Sequence, residues 1–171
     1  FVMPGLGSQT ISVFGADPLG TPASVNGVPG SFLALARPDG ARYYVFARGG
    51  GDSLLILDAS FNVVTRKSIG DDVKAAMLTP DGRRLVVLTG TLRVFDAETG
   101  NEIVPPSSPD VGAVPMDVAV NQDSKRAFVL SPSAQRVIAI DISTPNLAAA
   151  GNVFLGGGEY AGIAVGPNGY V

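Results

Sequence analysis

The chain has no histidine, no cysteine and no tryptophan, and only 16% of its 171 residues are charged. Each gap closes off a class of chemistry. Without His or Cys there is no Ser-His-Asp or Cys-His nucleophile and no zinc site of ordinary composition. Without Cys there are no disulfides, so nothing marks a redox compartment. The Asn-x-Ser/Thr acceptor is absent too, which removes one marker of secretion. A net charge of −3 with no basic run argues against a nucleic-acid or anionic-membrane partner, since both select clustered Lys and Arg. No apolar run approaches the roughly 18–20 residues that a membrane-crossing helix needs. Neither the Asp-x-Asp-x-Asp-Gly calcium spacing nor a P-loop occurs. The Gly-rich runs Gly5-Leu6-Gly7-Ser8 and Gly49-Gly50-Gly51-Asp52 lie between strands, with no following helix to receive a phosphate.

What the chain does have is a repeat. Arg37-Pro38-Asp39-Gly40 returns as Thr79-Pro80-Asp81-Gly82, as Asn121-Gln122-Asp123-Ser124 and as Gly166-Pro167-Asn168-Gly169. The turn aspartates Asp39, Asp81 and Asp123 are 42 residues apart, and Asn168 follows after 45. In such a turn Pro sets φ at the first corner, Asp bonds its own backbone and Gly accepts φ > 0. The 22 Gly and 13 Pro are spread between short apolar runs, as turn residues are and linkers are not.

Each period holds four strand-like runs, a to d. The first has 31–36, 42–47, 53–58 and 62–67. The second has 75–78, 84–88, 92–96 and 102–104. The third has 117–120, 127–130, 137–141 and 152–155. Runs a to c are almost continuously apolar, whereas d alternates with charge. Strands covered on both faces lose the polar half of their alternation, so the sheets are expected to stack face to face with d outermost. Run c ends on Asp58, Asp96 and Asp141, each placed to cap a tight turn into d. Arg42, Arg84 and Arg126 stand three residues after the turn aspartates, and two roles are open to them, a turn-stabilising Asp–Arg contact or a ligand ring.

A period near forty residues with four short strands per unit predicts an all-β fold, a β-propeller of four-stranded antiparallel blades. The predicted divisions are a partial b-c-d blade at 1–27, blades at 28–69, 70–110 and 111–156, and a partial a-b blade at 157–171. The opening on Phe1 and the stop after a turn lead us to expect a portion of a larger propeller. Its ring would close within the chain, through missing blades, or with a second copy.

The units around Lys125-Arg126-Ala127-Phe128-Val129 and Arg136-Val137-Ile138-Ala139-Ile140-Asp141 resemble YVTN-type repeats, shared by bacterial surface-layer and lactonase-like propellers. Pro115-Met116-Asp117-Val118-Ala119-Val120 fits the opening of that unit. The Asn expected at the end of strand b is replaced by Ala47, Thr89 and Ser131. The resemblance implies an extracellular, periplasmic or cell-surface location, and sites where the channel mouth meets the d-to-a and b-to-c loops.

In those loops Asp71, Asp72 and Glu159 are candidates to gather, hold Ca²⁺ or another divalent cation and raise one another's pKa; otherwise they are solvated loop acids. Asp117 stands on an inner strand where the other repeats have Leu33, Ala75 and Gly162, so its charge is expected to face a channel or a partner. Tyr160 is the loop aromatic placed to touch a ligand. Tyr43, Tyr44, Phe46, Phe95, Phe128 and Phe154 are expected in the core between blades. Two functions follow: a non-catalytic binding or scaffold module taking a protein or carbohydrate on its rim, and a lactonase-like hydrolase with a carboxylate-held cation.

Overall fold

The computed structural model describes residues 2–4, 10–13, 23–26, 30–48, 53–70, 72–103 and 108–166. The chain forms two compact units, Phe1–Asp71 and Asp72–Val171. The described residues are all-β apart from one 3-10 turn, Pro132–Ala134.

The first unit holds β1 (Val2–Pro4), β2 (Thr10–Val13) and β3 (Ala23–Asn26), an antiparallel sheet in the order β1-β2-β3. It also holds β4 (Ser31–Ala36), β5 (Arg42–Ala47), β6 (Ser53–Asp58) and β7 (Val63–Ser68), a four-stranded antiparallel meander. The register sets Tyr44 opposite Ile56, Val45 opposite Leu55 and Phe46 opposite Leu54. Successive residues point to opposite faces, yet all six are fully buried. That is why β5 and β6 carry no polar alternation.

The second unit stacks two such sheets. One contains β8 (Ala75–Leu78), β9 (Arg84–Leu88), β10 (Leu92–Asp96) and β11 (Glu102–Ile103). The other contains β12 (Asp117–Val120), β13 (Arg126–Ser131), β14 (Arg136–Asp141) and β15 (Ala149–Phe154). Val86, Leu88, Leu92 and Val94 of the first sheet share one core with Val118, Val120, Ala127, Val129, Ile138 and Ile140 of the second. These are alternate positions on each strand, one face of each sheet, brought together by removal of aliphatic surface from water.

The 42-residue turns are superimposable in their bonding. Gly40, Gly82 and Ser124 donate their amides to the carbonyls of Arg37, Thr79 and Asn121 at 2.9, 2.8 and 3.0 Å. Asp39, Asp81 and Asp123 accept from the amides two residues on, at 2.9, 3.0 and 2.9 Å. The third turn has lost its glycine, and Ser124 takes the left-handed conformation itself (φ 62°). Its buried hydroxyl accepts the Asp81 amide at 3.0 Å, a bond between the two stacked sheets that glycine has no atom to make.

Three sequence expectations are corrected. The run 161–165 is expected as a strand a, but residues 161–166 join no ladder among the described residues, because no paired strand stands beside them. Phe154 is expected in the core and is 76% exposed, since it ends β15, the edge strand of its sheet. Tyr43 and Phe128 are only partly buried, unlike Tyr44, Phe46 and Phe95. The b-to-c connection of the last sheet also contains the 3-10 turn, which periodicity-2 reasoning misses.

Candidate functional site

The turn aspartates and the strand-c aspartates serve the backbone. Asp58 Oδ1 accepts the amides of Ser60 and Asn62 at 2.8 and 2.9 Å. Asp96 Oδ1 accepts the amide and hydroxyl of Thr99, both at 2.8 Å. Asp141 Oδ1 accepts the amide and hydroxyl of Ser143 at 2.8 and 2.6 Å. Bonds to the ionised form lower a carboxyl pKa. Those from Asn62, Thr99 and Ser143 hold Asp58, Asp96 and Asp141 below their ordinary value. Asp39 is lowered first by the Arg37 side chain, which bonds it at 2.8 Å. For Asp81 partial burial pushes upward, and the Thr79 hydroxyl with the Arg83 amide outweighs it.

Arg42, Arg84 and Arg126 are cross-strand partners of Asp58, Asp96 and Asp141. Counting from the turn aspartate hid this, because an antiparallel ladder pairs the start of strand b with the end of strand c. Arg84 reaches further and donates to the carbonyls of Ile142 and Ser143, the latter at 2.9 Å, tying the two stacked sheets of the second unit.

Asp71 lies outside the described residues. Asp72 is exposed and bonds Lys74. Glu159 is exposed in its loop. Among the described residues no three His, Cys, Asp or Glu stand together in an arrangement for a metal ion. Asp110 Oδ1 accepts the Gly112 amide at 2.9 Å, and Oδ2 faces Arg136 at 3.2 Å.

Asp117 has a partner that sequence reasoning did not find. Its Oδ1 accepts the Val118 amide at 2.8 Å, and its Oδ2 accepts the amide of Ile163 at 3.0 Å. Gly162 permits this approach: a Cβ there would stand 3.1 Å from Oδ2. The carboxylate thus fastens segment 160–166 beside the start of β12. No local signal connects the two positions, because the bond spans 46 residues of chain.

Between this segment and the outer face of β12–β15 lies an open apolar cleft of about 490 Å³. Phe128, Leu130, Val137 and Val153 line it from the sheet, and Tyr160 and Ile163 from the segment. The Tyr160 hydroxyl is turned back onto the Gly156 carbonyl, so the ring presents carbon to the cleft. Tyr160 and Asp117 are therefore brought to one place, Asp117 as the tether and Tyr160 as wall. Such a cleft can exclude water from apolar surface; among the described residues that line it, only Asn152 and Tyr160 have polar side chains.

No protein-family model matches the chain, and no curated protein matches it. Among solved structures it is similar to one described as Kuenenia stuttgartiensis hydrazine synthase, with a TM-score of 0.70 at 17% identity. The likeness covers 94% of this chain and 60% of that one, so this chain spans under two thirds of the length it matches. At that identity the likeness is one of fold alone: repeated antiparallel four-stranded sheets in an all-β chain.

Proposed function

We propose that this chain is a β-propeller segment working as a non-catalytic binding or scaffold module of a secreted or cell-surface bacterial protein. The observation that carries the reading is the use made of its carboxylates. Asp58, Asp96 and Asp141 cap turns, Asp39, Asp81 and Asp123 close them, and Asp117 fastens a neighbouring segment. Seven of the fifteen carboxylates are thus committed to architecture, in a chain that has no His or Cys. The propeller reading is supported by the 42-residue period and by the face-to-face stacking of β8–β11 on β12–β15. The location rests on the resemblance to YVTN-type repeats, and a protein or carbohydrate on the rim is the ligand class that suits it.

The test is a lactone panel with and without Ca²⁺, Mg²⁺ and Mn²⁺, together with calorimetry of the same cations. We expect hydrolysis at the buffer rate and no heat of binding. Metal-dependent turnover would replace this reading by the lactonase-like hydrolase.

A further inference from the structure

We propose that Asp39-Gly40 is a site of spontaneous backbone isomerisation, forming isoaspartate at Asp39, while the matching turns at Asp81 and Asp123 are held against it. Asp-Gly occurs twice in the sequence, at 39–40 and at 81–82. This reactivity belongs to the chain itself and is independent of the binding reading above.

In the reaction the Gly amide nitrogen attacks Cγ of a neutral Asp carboxyl. The N–Cγ bond forms, the carboxyl hydroxyl leaves as water with the amide proton, and a succinimide ring results. Water then opens the ring at either carbonyl, restoring Asp or leaving isoaspartate, whose backbone runs through the side chain. The water lost is regained, so no oxidant or cofactor enters and the mass is unchanged. Glycine favours the step because it has no side chain to crowd the ring and its backbone turns freely.

The folded turn must open first, because Gly40 donates its amide to the Arg37 carbonyl at 2.9 Å. What resists opening at Asp39 is local. The Arg37 side chain and the Ala41 amide hold its carboxylate at 2.8 and 2.9 Å, each from two residues away. Asp39 keeps 57% of its side-chain surface in water, and a Cβ at Gly40 would meet no atom within 4 Å. A turn held by near neighbours at a hairpin tip opens without disturbing the core.

The other two turns close in the same way but are linked to each other across the stacked sheets. The amide of Asp81 donates to the Ser124 hydroxyl at 3.0 Å, 43 residues on. Gly82, whose nitrogen would attack, is buried, and so is Ser124. Opening the Asp81 turn also breaks that bond between sheets, so its open form is rarer. In the third turn Asp123 is followed by Ser124 instead of Gly, and a side chain there crowds ring closure. Three turns with the same closing bonds thus give graded access to one reaction.

Incubation of the folded chain in mildly acidic buffer, followed by peptide mapping with electron-transfer fragmentation, reads isoaspartate at each turn. It should build up at Asp39 several-fold faster than at Asp81, and slowest at Asp123. In concentrated urea the turns are gone, and Asp39 and Asp81 should react at matching rates. Ser124→Gly suits the left-handed backbone at that position and removes the hydroxyl. It should speed Asp81 several-fold, make Asp123 reactive and leave Asp39 unchanged. Asn26-Gly27 and Asn168-Gly169 react through the same ring but gain mass by deamidation, so they are counted apart. Equal rates at Asp39 and Asp81 in the folded chain, or no isoaspartate at Asp39, would overturn the proposal. So would a difference that persists in urea, or an Asp81 rate indifferent to Ser124→Gly.

Discussion

Sheets β8–β11 and β12–β15 are built from the same parts and end in different surroundings. Both have an Asp-closed turn between a and b, an arginine opening strand b and an aspartate ending strand c. In β8–β11 one face carries Val86 and Leu88 and the other Leu85 and Val87, all fully buried. In β12–β15 the face with Val129 and Ile140 is equally closed, while the face with Val137 and Val153 opens on the cleft. An apolar strand therefore states how many covers it needs without stating what supplies them.

The largest test of that contrast is a pair of truncations on β14. Ile140→Ala removes a fully buried side chain from the shared core and should cost about 2–5 kcal/mol. Val137→Ala, on the open face, should cost about 1 kcal/mol, because its side chain is only partly buried and the cleft beside it is already open. Urea denaturation under monomeric conditions measures both; equal losses would erase the distinction between the faces.

A second comparison uses the arginines at matching positions. Arg84 donates to two carbonyls of the neighbouring sheet, whereas Arg126, at the same place in β13, is exposed. Arg84→Ala should destabilise by about 1.5–3 kcal/mol, the range for hydrogen bonds from a charged donor. Arg126→Ala should stay within about 0.5 kcal/mol. Losses of the same size would mean that Arg84 does not join the sheets.

The smallest effect separates the strand-c caps. Asp96 and Asp141 are both depressed below 3.8 by bonds from Thr99 and Ser143, and Asp141 is lowered further by Arg126 and Arg84. A carboxyl with a depressed folded pKa adds stability that is complete above its unfolded value, about 3.9. That stability is lost as pH falls through the folded value, so unfolding should become easier below about pH 4. Carboxyl NMR titration should give both midpoints under 3.8. Added salt should raise the Asp141 midpoint more, since ion pairs are screened and the Thr99 bonds much less so. A midpoint at or above the ordinary value would contradict the capping geometry.

Much of the fold was legible in the chain. The runs 31–36, 42–47, 53–58, 75–78, 84–88, 92–96 and 117–120 stand as strands with the bounds their apolar runs suggest. The c-to-d caps at Asp58, Asp96 and Asp141 were equally readable, because an Asp two to four residues before its donors is a local matter. The site was not. Asp71, Asp72 and Glu159 were grouped only by loop type; Asp72 bonds Lys74, and Asp71 lies outside the described residues. Asp117 was recognised as anomalous, but its partner is an amide 46 residues on, which nothing in the intervening chain announces.

By itself the sequence determined what near neighbours along the chain decide: strand bounds, turn conformations, capping carboxylates and the absence of His and Cys chemistry. Tertiary structure alone decided which apolar face is closed, which arginine joins two sheets and what Asp117 holds. The reason is range. A turn is settled by φ preferences and bonds over two to five residues, whereas a face is buried by whatever sheet arrives, and hydrophobic burial has no direction that residue order could encode.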